Sequence, residues 1–390
     1  MPTSVAVVWL SVFLGCSSRL APSRLLEFSG ENVTIPIRFL YDRPVVDVKV
    51  NGQGPFTLLL DTGSTGISLE KRVVKQLKLP DSGTITRTNA ASEQFESRLF
   101  GVDRIELGEA VLAMVAVQET EFFEKHGMPG IHGIWGMGRF GKRIVTVDFL
   151  ENILHIRQKH SESAESIPWL PIRTGEIGPE VSIQIGKRAY DFLIDTGSNG
   201  SLSVSASIAS ELPRYEKRFP EVGGAAGGLV AWSIQTRLNV DIQLGIHSVE
   251  SPYVSWYHDR PSRNLIGMEI LRHFAIEFDL AESRVRFLRD GASPLSFPDR
   301  RRLGFLIAKS SEDNSYVVSH ISSYRAGMDD VKIGDRVLAI NGHPMSSIGS
   351  NFLTEQLIKT KDTLRFTVQR NGESMTVDVL VHQDSFGPVP

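Results

Sequence analysis

Cysteine is almost absent: the 390 residues contain one, Cys16. This excludes a disulfide scaffold, cysteine-ligated zinc, iron–sulfur clusters and a CxxC redox pair. An excess of one charge is also lacking. Forty-two Lys and Arg stand against 45 Asp and Glu, a net charge of −3, so nothing points to nucleic acid as a partner or to an acidic solvating tail. The ten histidines are scattered and form no HExxH, which leaves a metal site without support; His126 and His132 flank a Pro-Gly turn and are expected to be solvated. No P-loop and no Gly-x-Ser-x-Gly elbow occurs. No cofactor is expected. With 41% hydrophobic residues, 34 Gly and 19 Pro, the composition is that of an ordinary chain able to bury two or three cores.

Long apolar runs are lacking as well. The longest, residues 5–15 (VAVVWLSVFLG), is too short to span a bilayer, which takes about 20 residues. It suits the h-region of a secretory signal, although no Lys or Arg precedes it. The run ends in Phe13-Leu14-Gly15-Cys16-Ser17, which resembles a bacterial lipobox, with Phe13 where Leu is usual. The sole cysteine falling at that point favours lipidation of Cys16 over a plain cleaved signal. Export to a bacterial cell envelope, with a lipid anchor to the membrane, is the expectation. Two glycosylation sequons, at Asn32 and Asn199, agree with it: a glycan at Asn199 would obstruct the neighbouring Asp195.

What the chain does have is an internal repeat. Residues 56–69 (FTLLLDTGSTGISL) align with 191–204 (DFLIDTGSNGSLSV). Residues 133–140 (GIWGMGRF) align with 264–271 (NLIGMEIL), and 147–156 (VDFLENILHI) with 278–287 (FDLAESRVRF). The offsets are 134 residues from Asp61 to Asp195 and 131 for each later block, and three collinear blocks argue for duplication of a unit of roughly 130 residues. Both copies read as β. Residues 45–54 alternate into an Asn51-Gly52 turn, a hairpin signal. Helices are expected only just after each DTGS block, over 70–79 and 205–212.

Asp61 and Asp195 each end a buried apolar strand at a sharp turn, where a carboxylate is costly unless it has a partner or a task. Two such carboxylates related by a pseudo-twofold axis would meet between the copies and share a proton. The ionised member can take a proton from water and the protonated member can polarise a carbonyl, which is hydrolysis without metal or covalent intermediate. Gly63 and Gly197 allow the tight turn and close approach of substrate. Thr62 and Thr196 can hydrogen-bond across the interface. The Ser64 and Ser198 hydroxyls can hydrogen-bond the outer carboxylate oxygens.

On these motifs residues 33–290 resemble aspartic peptidases of the pepsin and retropepsin type, closest to single-chain, two-lobed bacterial retropepsin-like proteins. The resemblance implies a mainly β fold, with two pseudo-symmetric β-barrel lobes forming one cleft, and catalytic roles for Asp61 and Asp195. It implies that Ile134-Trp135-Gly136 and Leu265-Ile266-Gly267 pack behind the active-site loops. A glycine-rich flap should close over substrate, for which Gly223, Gly224, Gly227 and Gly228 are candidates in the second lobe; the first lobe's counterpart, around residues 84–98, has no tyrosine. The substrate would be a protein or peptide. One chain carries both aspartates, so a monomer suffices.

Beyond residues 293–302, read as a linker, the texture changes. Residues 303–382 resemble a PDZ domain of bacterial type, a small α+β fold. Leu303-Gly304-Phe305-Leu306 stands where the carboxylate-binding loop is expected, and 325–342 (RAGMDDVKIGDRVLAING) carries the Gly-Asp and Ile-Asn-Gly pattern. A helix is expected over 350–361 and a hairpin about Asn371-Gly372. The resemblance implies that a peptide C-terminus binds as an added strand. The expected organisation is a signal over 1–16, lobes over 28–160 and 165–290, and a PDZ domain over 300–383. The expected activity is aspartic endopeptidase, with a non-catalytic peptide-binding protein of the envelope as the rival reading.

Overall fold

The structure, a computed structural model, describes residues 27, 32–88, 94–125, 128–158, 167–174, 177–216, 218–225, 229–257, 263–310, 313, 315–321, 330–347 and 363–383. The apolar run and Cys16, Gly227 and Gly228, His126, and the expected helix over 350–361 lie outside the described residues.

Alternation makes Arg43–Val50 and Gln53–Asp61 an antiparallel hairpin, joined by Asn51 (φ 50°) and Gly52 (φ 76°). Both turn residues sit in the left-handed region that a two-residue hairpin of this hand requires. Asn371 (φ 51°) and Gly372 (φ 85°) do the same between Thr363–Arg370 and Glu373–Leu380. The first lobe is an eight-stranded sheet closed on itself, because Arg43–Val50 pairs with both Gln53–Asp61 and Gln94–Leu107. In the second, Pro179–Ile185 and Arg188–Ile194 repeat the hairpin, and Leu202–Ser203, Tyr253–Tyr257, Leu229–Arg237 and Phe219–Ala225 extend the sheet. The helices after each DTGS block are single short turns, Lys71–Gln76 and Ala206–Glu211. Ser205 caps the latter by accepting from the Ile208 amide at 3.3 Å.

Six strands join the lobes, in the order Asn32–Pro36, Ile153–Arg157, Ile144–Asp148, Ala275–Asp279, Arg284–Leu288, Leu170–Thr174, and continue into the second lobe as part of one 15-stranded sheet. Its central pair places Thr146 opposite Glu277. Since 277 − 146 = 131, the repeat offset, each of these residues faces its own copy and the pseudo-twofold axis passes between them. Burying Glu277 there is tolerable because Arg157 (2.7 Å) and Arg286 (3.2 Å) bind its two oxygens.

The C-terminal module is a separate sheet with its own core, including Val318, Val337, Ile340, Leu364 and Phe366. Residues 293–302 differ from the expected linker. Leu295 is buried and bonded to Ser248 and Glu250, and Arg300 lies 4.1 Å over the Tyr253 ring while binding Glu269 (2.5 Å) and Gln235 (2.6 Å). Arg237 binds Asp299 at 3.0 Å, and Arg302 reaches Gln235 and the Phe219 ring. Buried aromatic faces in the second lobe thus hold the basic segment, a cation–π arrangement that composition alone does not reveal. The edge strand Phe305–Lys309 of the module consequently runs beside the edge strand Phe219–Ala225 of the second lobe.

Candidate active site

Each DTGS loop is built from three strands. Gln53–Asp61 carries Asp61, and Gly133–Gly136 inserts parallel to it, with Asp61 opposite Gly136, and antiparallel to Ile67–Glu70. Arg188–Ile194, Leu265–Ile266 and Leu202–Ser203 repeat this. The inserted strands must end in glycine: a Cβ on Gly136 would lie 2.5 Å from the Gly66 and Ser64 carbonyl oxygens, and one on Gly267 would lie 2.4 Å from that of Gly200. The loops are closed by the Met137 amide donating to Ser64 O and the Met268 amide donating to Ser198 O, both at 2.7 Å. Met137 and Met268 themselves fill core space.

The two loops meet. The Thr62 amide donates to Thr196 Oγ1 (3.0 Å) and the Thr196 amide to Thr62 Oγ1 (3.1 Å). Each hydroxyl then donates across the interface, Thr62 Oγ1 to Ile194 O and Thr196 Oγ1 to Leu60 O, both at 2.5 Å. Both threonines are wholly buried, so these four bonds exchange with no water. They clamp the lobes at the point where the aspartates emerge.

Asp61 and Asp195 are consequently side by side. A Cβ on Gly63 would sit 2.8 Å from Asp195 Oδ1, and one on Gly197 would sit 2.9 Å from Asp61 Oδ1. Each Oδ1 accepts the amide two residues on, Gly63 to Asp61 and Gly197 to Asp195, both at 2.9 Å. Burial raises the Asp61 pKa well above the ordinary aspartate value, and the adjacent Asp195 charge raises it further. Burial raises Asp195 too, but the Gly197 amide, the hydrogen bond from Asp61 and the Ser198 amide oppose the rise. Burial thus raises both members, and the pair favours one proton held between two carboxyls over two charges.

The serines contribute through their backbones. Neither the Ser64 nor the Ser198 hydroxyl bonds a carboxylate; Ser198 supports Asp195 through its backbone amide, and both serines brace the loops through their carbonyls. A serine at a tight turn offers its amide at fixed geometry, whereas its hydroxyl is free to turn away. His132 is half-buried rather than fully solvated. Its Nδ1 accepts the Thr57 amide at 3.0 Å, and burial lowers its pKa.

Sequence reasoning missed Arg43. Its Nε donates to Gly197 O at 3.0 Å and its Nη1 to Tyr41 O at 3.2 Å. Burial lowers its pKa, while Asp195, Asp42 and Asp61 hold it charged. An arginine at a strand start carries no signature; only the loop it reaches gives it meaning.

Family models match two stretches. Residues 46–138, the core of the first lobe, match the model described as aspartyl protease, and residues 295–369 match that of the PDZ domain. The chain therefore carries an aspartyl-protease-like domain and a PDZ domain. No curated protein sequence matches the chain. Among solved structures, that of Basic 7S globulin from soybean is similar over 68% of this chain and 96% of its own, at 11% identity and a TM-score of 0.41.

In the PDZ domain Leu303 and Phe305 are buried, and Phe305 meets Phe366 edge to face at 5.6 Å. Gly304 (φ 74°) turns the chain between them, and Leu306 continues into the edge strand Phe305–Lys309. Asp335 of the Gly-Asp pattern is buried and held by Arg370 from two sides at 2.7 Å and by the Lys332 amide at 2.8 Å. The flap candidates Gly223 and Gly224 lie in Phe219–Ala225, opposite Ala231 and Val230. The first lobe has a matching hairpin, Asp81–Thr88 with Gln94–Leu107.

Proposed function

We propose that the protein is an aspartic endopeptidase, which hydrolyses peptide bonds by acid–base activation of water. The observation that carries this reading is the clamped pair Asp61–Asp195, two buried carboxyls brought side by side with both pKa values raised. Ionised Asp195 removes a proton from water as the water oxygen attacks the peptide carbonyl carbon, and protonated Asp61 gives its proton to the carbonyl oxygen. The resulting diol collapses with breakage of the C–N bond. Asp195 returns its proton to the leaving nitrogen, and Asp61 recovers one from the diol. Gly63 and Gly197 keep the approach to the carboxyls open, and the hairpins over 81–107 and 219–237 are the elements available to cover an extended peptide.

The PDZ domain recruits substrate or partners by accepting a peptide C-terminus as an added strand. Export and anchoring through Cys16 complete the reading and rest on the N-terminal sequence alone. The test is cleavage of a peptide library by residues 17–390 at several pH values, beside Asp61→Asn. Cleavage lost in the variant, with PDZ ligand binding intact, supports the reading. A folded wild type that cuts nothing overturns it in favour of a non-catalytic peptide binder.

A further inference from the structure

The aspartates are related by symmetry, but their surroundings are not. Val45 pairs with Leu59 and Glu180 with Leu193, the corresponding leucine of the second copy. Counting back two residues, Arg43 of the first lobe corresponds to Gly178 of the second. Gly178 lies directly against the first loop, where a Cβ would be 2.4 Å from Thr62 O and 3.3 Å from Gly63 Cα. Arg43 lies against the second loop and donates to Gly197 O, whose own amide binds Asp195 Oδ1. One copy thus puts a bare backbone beside its partner's aspartate and the other a guanidinium.

The placement of Arg43 is elaborate. Tyr41 (φ 54°) and Asp42 (φ 58°) both occupy the left-handed region, an unfavourable conformation for two successive non-glycine residues. The turn they form is gripped by the second lobe: Asn199 Nδ2 donates to Tyr41 O at 3.2 Å, and Arg272 reaches Asp42 O (3.4 Å) and Asp42 Oδ1 (3.6 Å). The charged groups around Arg43 are Asp195, Asp42 and Asp61. Asp195 is the foremost of these, followed by Asp42, which is exposed and also within reach of Arg272, and then Asp61.

We propose that Arg43 is a positioning residue that braces the Gly197 loop under Asp195 and, through its charge, sets the pH window in which the pair works. The proposal rests on the acid–base reading above. A guanidinium beside the pair favours each successive ionisation. Removing it moves both limbs of a bell-shaped kcat/KM profile to higher pH, by about one unit for the loss of one neighbouring opposite charge. At a pH on the acid limb, that shift is a loss of about tenfold in activity.

The experiment compares pH profiles of wild type, Arg43→Gln, Arg43→Lys and Arg272→Gln. Arg43→Gln should move both limbs up by about one unit, while Arg43→Lys, which keeps the charge, should stay close to wild type. Arg272→Gln loosens the same turn without removing the charge, and its profile should not move. Superimposable wild-type and Arg43→Gln profiles, or an equal shift in Arg272→Gln, overturn the proposal. If Arg43→Gln does not fold, Arg43→Met, which keeps the unbranched stem, carries the same comparison. A second readout needs no turnover: carboxyl 13C shifts of labelled aspartate, assigned with Asp61→Asn and Asp195→Asn. Both titrations moved up in Arg43→Gln support the proposal; unchanged titrations refute it. Should wild type cleave nothing, the endopeptidase reading falls while this titration still decides the role of Arg43.

Discussion

Replacing Thr196 by valine tests the clamp between the lobes. The two side chains have nearly the same shape, so the change removes a hydroxyl without opening a cavity. The hydroxyl has two partners, both in the first lobe: it accepts from the Thr62 amide at 3.0 Å and donates to Leu60 O at 2.5 Å. Thr62 is wholly buried, so its amide can find no water. An unsatisfied buried donor costs about 1–3 kcal/mol, and loss of the bond to Leu60 O adds about 1 kcal/mol. The sum, about 2–4 kcal/mol, is a large part of a stability of about 5–15 kcal/mol. Unfolding of a chain with several cores need not be two-state, so the sharper assay is amide hydrogen exchange at Thr62. At about 1.4 kcal/mol per decade, exchange at that amide should accelerate roughly 30- to 1,000-fold, while amides of the C-terminal sheet such as Phe366 keep their rates. Thr196→Ser retains the hydroxyl and should exchange near the wild-type rate. If Thr62 exchanges no faster in the valine variant, the crossed threonines do not hold the lobes and the reasoning fails.

Asp61→Asn should make the protein more stable at pH 7. The pKa of Asp61 is raised by burial and by Asp195, so the folded state binds its proton more tightly than the unfolded state and stability falls as pH climbs through the interval between the two values. Thermal unfolding should show the gain at neutral pH and see it shrink toward the ordinary aspartate range; a variant less stable at pH 7 counts against this. Asp335 should behave in the opposite sense. Burial pushes its pKa up, but Arg370 and the Lys332 amide outweigh it and hold the value down. Its contribution is therefore present above the ordinary aspartate pKa and lost as pH falls through the depressed one. Unfolding of the C-terminal sheet should lose that acid dependence in Asp335→Asn, and an unchanged acid limb would contradict the assignment. Tyr253→Leu removes the ring beneath Arg300 and Arg237. At about 1–2 kcal/mol of lost cation–π attraction, limited tryptic cutting at Arg300–Arg302 should quicken about tenfold, and equal cutting rates would refute the packed-linker account.

The sequence by itself determined the pieces whose physics is local or repeated. Asn51-Gly52 and Asn371-Gly372 had to be turns, because their backbone geometry is written in the dipeptide. The duplication had to bring Asp61 and Asp195 into equivalent positions, because two copies of one folding unit place equal residues equally about an axis. The glycines at 136 and 267 were legible for the same reason, as recurring small residues behind each loop. Tertiary structure alone decided whatever depends on what arrives from elsewhere in the chain. Ser198 reaches Asp195 through its backbone amide, a contact that depends on how the loop is held rather than on the side-chain type. Residues 293–302 read as a basic linker, yet they lie bound, because a buried Tyr253 face meets the arginines only after the second lobe has folded. Arg43 is the clearest case. Its charge is visible in the sequence, but its target is Gly197, 154 residues away, and a long-range approach of that kind leaves no periodicity or spacing to read.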